Sequence, residues 1–172
     1  MKMKNEYKGM PMTKLLLLIY LIILTWIILF KMALSIEELP NLRNVNLIPF
    51  GDSAFINGRI DRGEIISNVV AFIPVGVYIS MIRPGSSFMQ KLGPVIGLSL
   101  SYEILQFIFG LGATDITDLI GNTAGGATGI LMYLILMKRF HGRRVLAKVI
   151  NSLGAICTGL LIALIVILIG SN

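Results

Sequence analysis

Apolar residues run along this chain in long blocks separated by shorter polar breaks. A helix needs about 20 mostly apolar residues to cross the ~30 Å hydrocarbon layer of a bilayer. Blocks at 15–34, 65–82, 92–111, 119–137 and 145–170 meet or approach that length, so the pattern predicts an all-α integral membrane bundle of five transmembrane helices. The first block follows Lys2, Lys4, Lys8 and Lys14, the charge arrangement of a signal peptide. It is nevertheless long, Lys31 follows it and no small-x-small site ends it, so it reads as a retained helix.

The breaks carry their own information. Residues 35–64 are polar, contain Pro40, Pro49, Gly51, Gly58 and Gly63, and hold no spanning block, which predicts an irregular segment after the first helix. Within it lies Asn-Leu-Ile-Pro-Phe at 46–50, an apolar turn with two placements open to it: on the membrane surface or folded into the protein. Pro74 removes a ladder hydrogen bond from the second helix and predicts a kink near Val70. Gly121, Gly125 and Gly129 recur every four residues in the fourth helix, a stripe that lets a neighbouring backbone approach closely and predicts a central position for it. No repeat or second domain interrupts residues 1–172, so one transmembrane domain is expected.

Composition agrees with this pattern. The chain is 55% hydrophobic and 14% charged, with mean hydropathy +0.83, against about 25% charged in soluble domains. Its net charge of +6 reads as a topology signal rather than a nucleic-acid footprint, because the bases flank the apolar blocks. Four Lys lie at the N-terminus, two bases lie at 83–91 and five at 138–148, together eleven of the fifteen Lys and Arg residues. Those segments are expected in the cytoplasm. Segments 35–64 and 112–118 hold seven of the nine acids and are expected outside, as is the C-terminus. Cys157 is the only cysteine, so no internal disulfide forms, and its apolar surroundings suggest a small buried hydrophobe. His141 is the only histidine and lies in a basic loop, which excludes zinc sites built on His or Cys and Ser/His/Asp catalysis, and no cofactor is expected.

The chemistry concentrates between Ser101 and Leu131. An ionised carboxylate at the centre of a membrane helix costs about 2.5 to 3.5 kcal/mol, so acids kept at that depth usually have a partner or a task. Glu103 and Gln106 are three apart, as are Asp115 and Asp118, while Asp118 and Asn122 are four apart, so each pair shares a helix face if its segment is helical. At 1.5 Å per residue, Asn68 and Asn122 lie roughly 5 Å below the outer ends of their spans, Gln106 roughly 8 Å and Glu103 roughly 12 Å. With Asn46, Arg59 and Arg62 from the outer segment, these residues suggest a polar funnel opening away from the cytoplasm. Plainer roles stand beside this one. Asp115 can cap the fourth helix with Asp118 in its first turn, Asn68 and Asn122 can bond helix to helix, Arg59 and Arg62 can be solvated, and Glu103 can sit in a structural ion pair or neutral hydrogen bond.

Taken together, these motifs resemble the VanZ family of bacterial membrane proteins. The resemblance rests on Asn-Leu-Ile-Pro-Phe at 46–50, on Asn68, Phe72, Pro74 and Gly76 in an N-x-x-x-F-x-P-x-G pattern, and on Glu103 and Gln106 followed by Asp115, Asp118, Asn122, Gly126 and Gly129. One departure is that many members carry an Arg shortly before the first Asp, where this chain has Leu111 and Gly112, leaving Arg59 or Arg62 as substitutes. The resemblance implies a multi-pass protein of the bacterial cell membrane, in a family some of whose members are associated with resistance to teicoplanin-type glycopeptides. The expected function is binding of an amphiphilic envelope molecule, a lipid-linked cell-wall intermediate or a glycopeptide, in an outward-facing cavity amid membrane lipids, with Asn46, Arg59, Arg62, Asn68, Gln106 and Asn122 as ligand-binding residues. One alternative is a membrane-interface enzyme in which Glu103, Asp115 and Asp118 are catalytic. Another is a proton-coupled transporter, which would need polar groups in the inner half, where the blocks read as almost wholly apolar.

Overall fold

The computed structural model describes residues 10–30, 42–50, 55–56, 59–60, 62–140 and 143–170. Five helices, α1 (Met10–Leu29), α2 (Arg62–Ile82), α3 (Phe88–Phe109), α4 (Ile116–Arg139) and α5 (Arg143–Gly170), dominate it. Each is long and apolar enough to cross a membrane. Helices α3 and α4 start before their apolar blocks because polar capping residues begin them. Ser87 caps α3 by accepting the Gln90 amide at 3.3 Å while the Gln90 side chain accepts the Ser87 amide at 2.9 Å, and Asp115 caps α4. Residues 31–34 of the first block, and His141, lie outside the described residues.

Contacts between helices fix their directions. Asn151 of α5 bonds Thr13 and Gly154 faces Leu16, so α5 rises alongside α1. Thr25 meets Tyr102 at 3.0 Å and Gln106 reaches the Ile28 carbonyl, so α3 also runs with α1. Gly121, Gly125 and Gly129 face Asn68, Val69 and Ile73 in that order, making α2 and α4 parallel, whereas the Val95–Gly126 and Ser99–Asn122 contacts make α3 antiparallel to α4. The helices therefore alternate in direction, as consecutive crossings of a bilayer require. One end of the bundle collects the ends of α1 and α3 and the starts of α2 and α4.

That end carries strands, which corrects two expectations. The 35–64 segment is not wholly irregular: it contains β1 (Leu42–Asn46), β2 (Phe55–Ile56) and β3 (Arg59–Ile60). The connection at 112–118, read from the sequence only as an acid-bearing break between apolar blocks, is formed by a strand, β4 (Leu111–Asp115), running directly into the first turn of α4. β1 lies parallel to β4, with Leu42 opposite Leu111 and Asn46 opposite Asp115, and β2 pairs antiparallel with β3. The physical reason is backbone satisfaction: Leu111, Gly112 and Asp115 are buried, and a buried extended segment needs hydrogen-bond partners for its N–H and C=O groups. β1 supplies them.

The glycine stripe does what its spacing predicts. A Cβ on Gly125 would overlap the Val69 carbonyl oxygen, one on Gly129 the Ile73 carbonyl oxygen, and one on Gly76 of α2 the Gly126 carbonyl oxygen. These overlaps place the α2 and α4 backbones in direct contact, with Phe72, Val75, Val95, Tyr102 and Ile130 packed around them. The Phe72 and Tyr102 rings meet edge to face, 6.3 Å apart. α2 runs unbroken through Pro74, which offers no N–H to the Val70 carbonyl; one residue on, the Ala71 carbonyl accepts the Tyr20 hydroxyl at 2.7 Å.

The half of the bundle away from the strands is less apolar than its blocks suggest. Thr13, Asn151, Ser80 and Lys91 are buried there. Lys91, assigned from the sequence to a basic loop, lies in the first turn of α3, since that helix begins at Phe88. Cys157, expected to be buried, is exposed on α5.

Candidate functional site

The strand end of the bundle is built around Glu103 and Asp115. Glu103 lies in α3, six residues before that helix ends at Phe109, and its Oε2 accepts the Asp115 backbone N–H at 2.9 Å. The Thr114 hydroxyl donates to the Glu103 carbonyl at 3.0 Å, so α3 grips β4 through both side chain and backbone. Gly110 makes the sharp exit from α3 possible: at φ 67 it takes the left-handed conformation that ends the helix and aims β4 back across Glu103.

Asp115 closes the strand pair and opens α4. Its Oδ1 accepts the Thr117 N–H at 2.8 Å, and Asn46, its register partner on β1, donates Nδ2 to both carboxylate oxygens at 3.3 Å. Thr117 then accepts the Phe50 N–H on Oγ1 at 3.0 Å, while Asn46 Oδ1 accepts the Ile48 N–H at 3.1 Å. Glu103 is 3% exposed and Asp115 7%. Amide donors and the partial positive charge at the start of α4 make two carboxylates tolerable at that burial.

The remaining predicted residues take separate positions. Asp118, one turn further along α4, accepts Asn68 Nδ2 at 2.7 Å. Gln106 donates Nε2 to the Ile28 carbonyl at 3.1 Å, capping one of the last carbonyls of α1. Asn122 donates Nδ2 to Ser99 Oγ at 3.0 Å between α3 and α4. Among the described residues, Gln106 Oε1 and Asn122 Oδ1 are buried without a hydrogen-bond partner. Arg59 and Arg62 open β3 and α2, and their side chains lie outside the described residues. The structure thus joins Asn46, Glu103 and Asp115 in one network, with Asn68 and Asp118 as a pair on the adjoining turn. Its described hydrogen bonds tie Gln106 and Asn122 elsewhere.

Sequence reasoning missed Thr117 and Thr114, which bind the turn at 47–50 and the α3 backbone to this network. Thr117 had a signal, since it stands two residues after a capping Asp at the start of an apolar block. Arg43, counted only as a charge, donates to the Ile108 carbonyl at 3.4 Å near the end of α3. Among the described residues, no group of three or more His, Cys, Asp or Glu is arranged to hold a metal ion. Chemically, the strand end gathers three carboxylates, those of Glu103, Asp115 and Asp118.

A five-helix membrane bundle with a carboxylate network tied across a strand pair at one end defines the class: an integral membrane protein with a built polar site. The chain belongs to the VanZ/LLP1 family, whose model matches residues 17–137, from within α1 nearly to the end of α4. It is similar to Protein VanZ of Enterococcus faecium, with 39% identity over 156 residues, covering 90% of this chain and 92% of that protein. No solved structure matches the chain.

Proposed function

We propose that the strand end faces away from the cytoplasm of a bacterial cell and binds an amphiphilic envelope molecule, either a lipid-linked cell-wall intermediate or a glycopeptide of the teicoplanin type. By holding that molecule, the chain contributes to resistance to such antibiotics. The observation that carries this reading is the cluster of carboxylates at one end of a membrane bundle. Glu103 and Asp115 share one network and Asp118 lies on the adjoining turn, chemistry suited to the ammonium and hydroxyl donors of amino sugars and peptides. The VanZ/LLP1 family model spans residues 17–137 and so includes Asn46, Glu103, Asp115 and Asp118.

The test is retention of ligand by protein purified in lipid, incubated with extracted envelope lipids or with teicoplanin and examined by native mass spectrometry. The intact chain is expected to retain one of them. Glu103→Gln is expected to lose that retention and any resistance phenotype while remaining folded, because the amide still offers an oxygen to the Asp115 N–H. Retention of neither class by the intact chain would overturn the proposal. Product analysis of the same incubation covers the enzymatic alternative, which a chemically altered lipid would establish.

A further inference from the structure

The turn after β1 exposes an unusual amount of apolar surface. Leu47 and Ile48 are 72% and 70% exposed, Val45 and Phe50 47% and 46%. Of the two placements open to this turn from the sequence, folding into the protein is therefore not what the structure shows. We propose that Leu47–Phe50 is inserted in the membrane interface beside the carboxylate network, with the lipids of that leaflet as its partner. The inference does not depend on what the network binds.

The first argument is the backbone. Irregular chain is tolerated against lipid only where its polar groups are satisfied internally. The Ile48 N–H goes to Asn46 Oδ1 at 3.1 Å, Pro49 has no N–H, and the Phe50 N–H goes to Thr117 Oγ1 at 3.0 Å. Three consecutive residues thus present apolar side chains while offering no free donor, the condition for placing a turn in an apolar medium. A turn facing water has no need of it.

The second argument is depth. Val95 faces Gly126 and Ser99 bonds Asn122, so each step along α4 towards its start is a step along α3 towards its end. Thr117, from which Phe50 hangs, is accordingly level with residue 104 of α3. That helix continues to Phe109, about 7 Å further at 1.5 Å per residue, and Ile104, Phe107, Ile108 and Phe109 are all exposed there. The turn is attached at a level where its neighbouring helix still shows apolar surface outward.

The third argument is rigidity. Phe50 holds φ 56, the left-handed region that a bulky side chain rarely occupies, and it is kept there by the bond to Thr117. The same turn is tied through Asn46 to Asp115. An inserted, stiff turn would hold the carboxylate network at a fixed depth and leave it open to molecules arriving sideways from the leaflet.

Spin labels decide the matter. In the full chain carrying Cys157→Ser, reconstituted in phosphatidylglycerol/phosphatidylethanolamine vesicles, Leu47→Cys and Ile48→Cys would be labelled in turn. Relaxation by oxygen, which concentrates in lipid, is compared with relaxation by a polar nickel chelate, which stays in water. Gly85→Cys in the exposed α2–α3 loop and Ile104→Cys on α3 give the water and lipid references. Both turn positions are exposed, so labelling them disturbs no packing, and both are expected to respond to oxygen more than to nickel, close to the value at 104. A nickel response like that at 85 would overturn the proposal. So would shielding from both reagents, which would mean that protein, such as a second copy of the chain, covers the turn.

Discussion

At the scale of single residues, Asp115 does two jobs that substitutions can separate. Its carboxylate caps α4 through the Thr117 N–H and receives Asn46 across the strand pair. Asp115→Asn keeps an oxygen for the cap, whereas Asp115→Ala removes it and both carboxylate acceptors of the Asn46 amide, so Ala is expected to cost about 1 to 2 kcal/mol more than Asn. Thermal unfolding in detergent measures the difference; equal melting of the two variants would show that the cap contributes nothing. Part of this arrangement is legible in the sequence, because an Asp just before an apolar block is where a helix start belongs. The Glu103 contact is not, since that carboxylate meets a backbone N–H twelve positions away, and Gln106 meets a carbonyl 78 positions away. Spacing places Glu103 and Gln106 on one helix face but leaves open what packs against it.

Asn68 and Asp118 make a second residue-scale test. Their bond at 2.7 Å crosses from α2 to α4 just beyond the glycine contact, at Gly121. Asn68→Leu would take that donor from Asp118 and is expected to lower the melting temperature more than the double change Asn68→Leu with Asp118→Leu. Side-chain hydrogen bonds inside membranes average about 0.6 kcal/mol, so a larger effect would come from the cost of an acid with one donor fewer rather than from the lost bond itself. If the single and double variants melt together, the pair carries no such penalty.

Elements behave less uniformly than their spacing suggests. Gly121, Gly125 and Gly129 look equivalent along the chain, but only the latter two press on backbone. A Cβ on Gly121 would meet the Asn68 Cβ at 3.5 Å, ordinary contact, whereas at Gly125 and Gly129 it would run into carbonyl oxygens of α2. Gly121→Ala should therefore be tolerated, while Gly125→Ala or Gly129→Ala is expected to cost about 1 to 3 kcal/mol by forcing the helices apart. Detergent melting of the three variants ranks them, and a Gly125→Ala protein as stable as Gly121→Ala would contradict the close α2–α4 contact. The stripe and the five blocks were legible because helix periodicity and apolar length are local properties. The β1–β4 pairing was hidden because a five-residue strand rich in Gly, Thr and Asp has no alternating pattern, and its partner lies across α2 and α3 in the chain.

At the scale of the whole molecule, alternating helix directions put the N-terminal ends of α1, α3 and α5 together with the C-terminal ends of α2 and α4. The strands and the carboxylate network occupy the opposite end. Lys14 of α1 and the basic segments at 83–91 and 138–148 fall at the first of these ends, and the burial of Lys91 in the first turn of α3 leaves that excess standing. Lys and Arg near helix ends favour the cytoplasmic side, so the strand end should face outward. In a Cys157→Ser background, Asn44→Cys on β1 is expected to react with a membrane-impermeant maleimide on intact cells, and Lys138→Cys at the end of α4 only after the cells are permeabilised. Both positions are exposed, so access from the aqueous side alone decides reactivity. The reverse pattern would turn Glu103, Asp115 and Asp118 towards the cytoplasm. An antibiotic arriving from outside would then have no route to them, whereas a lipid intermediate assembled on the inner leaflet still would.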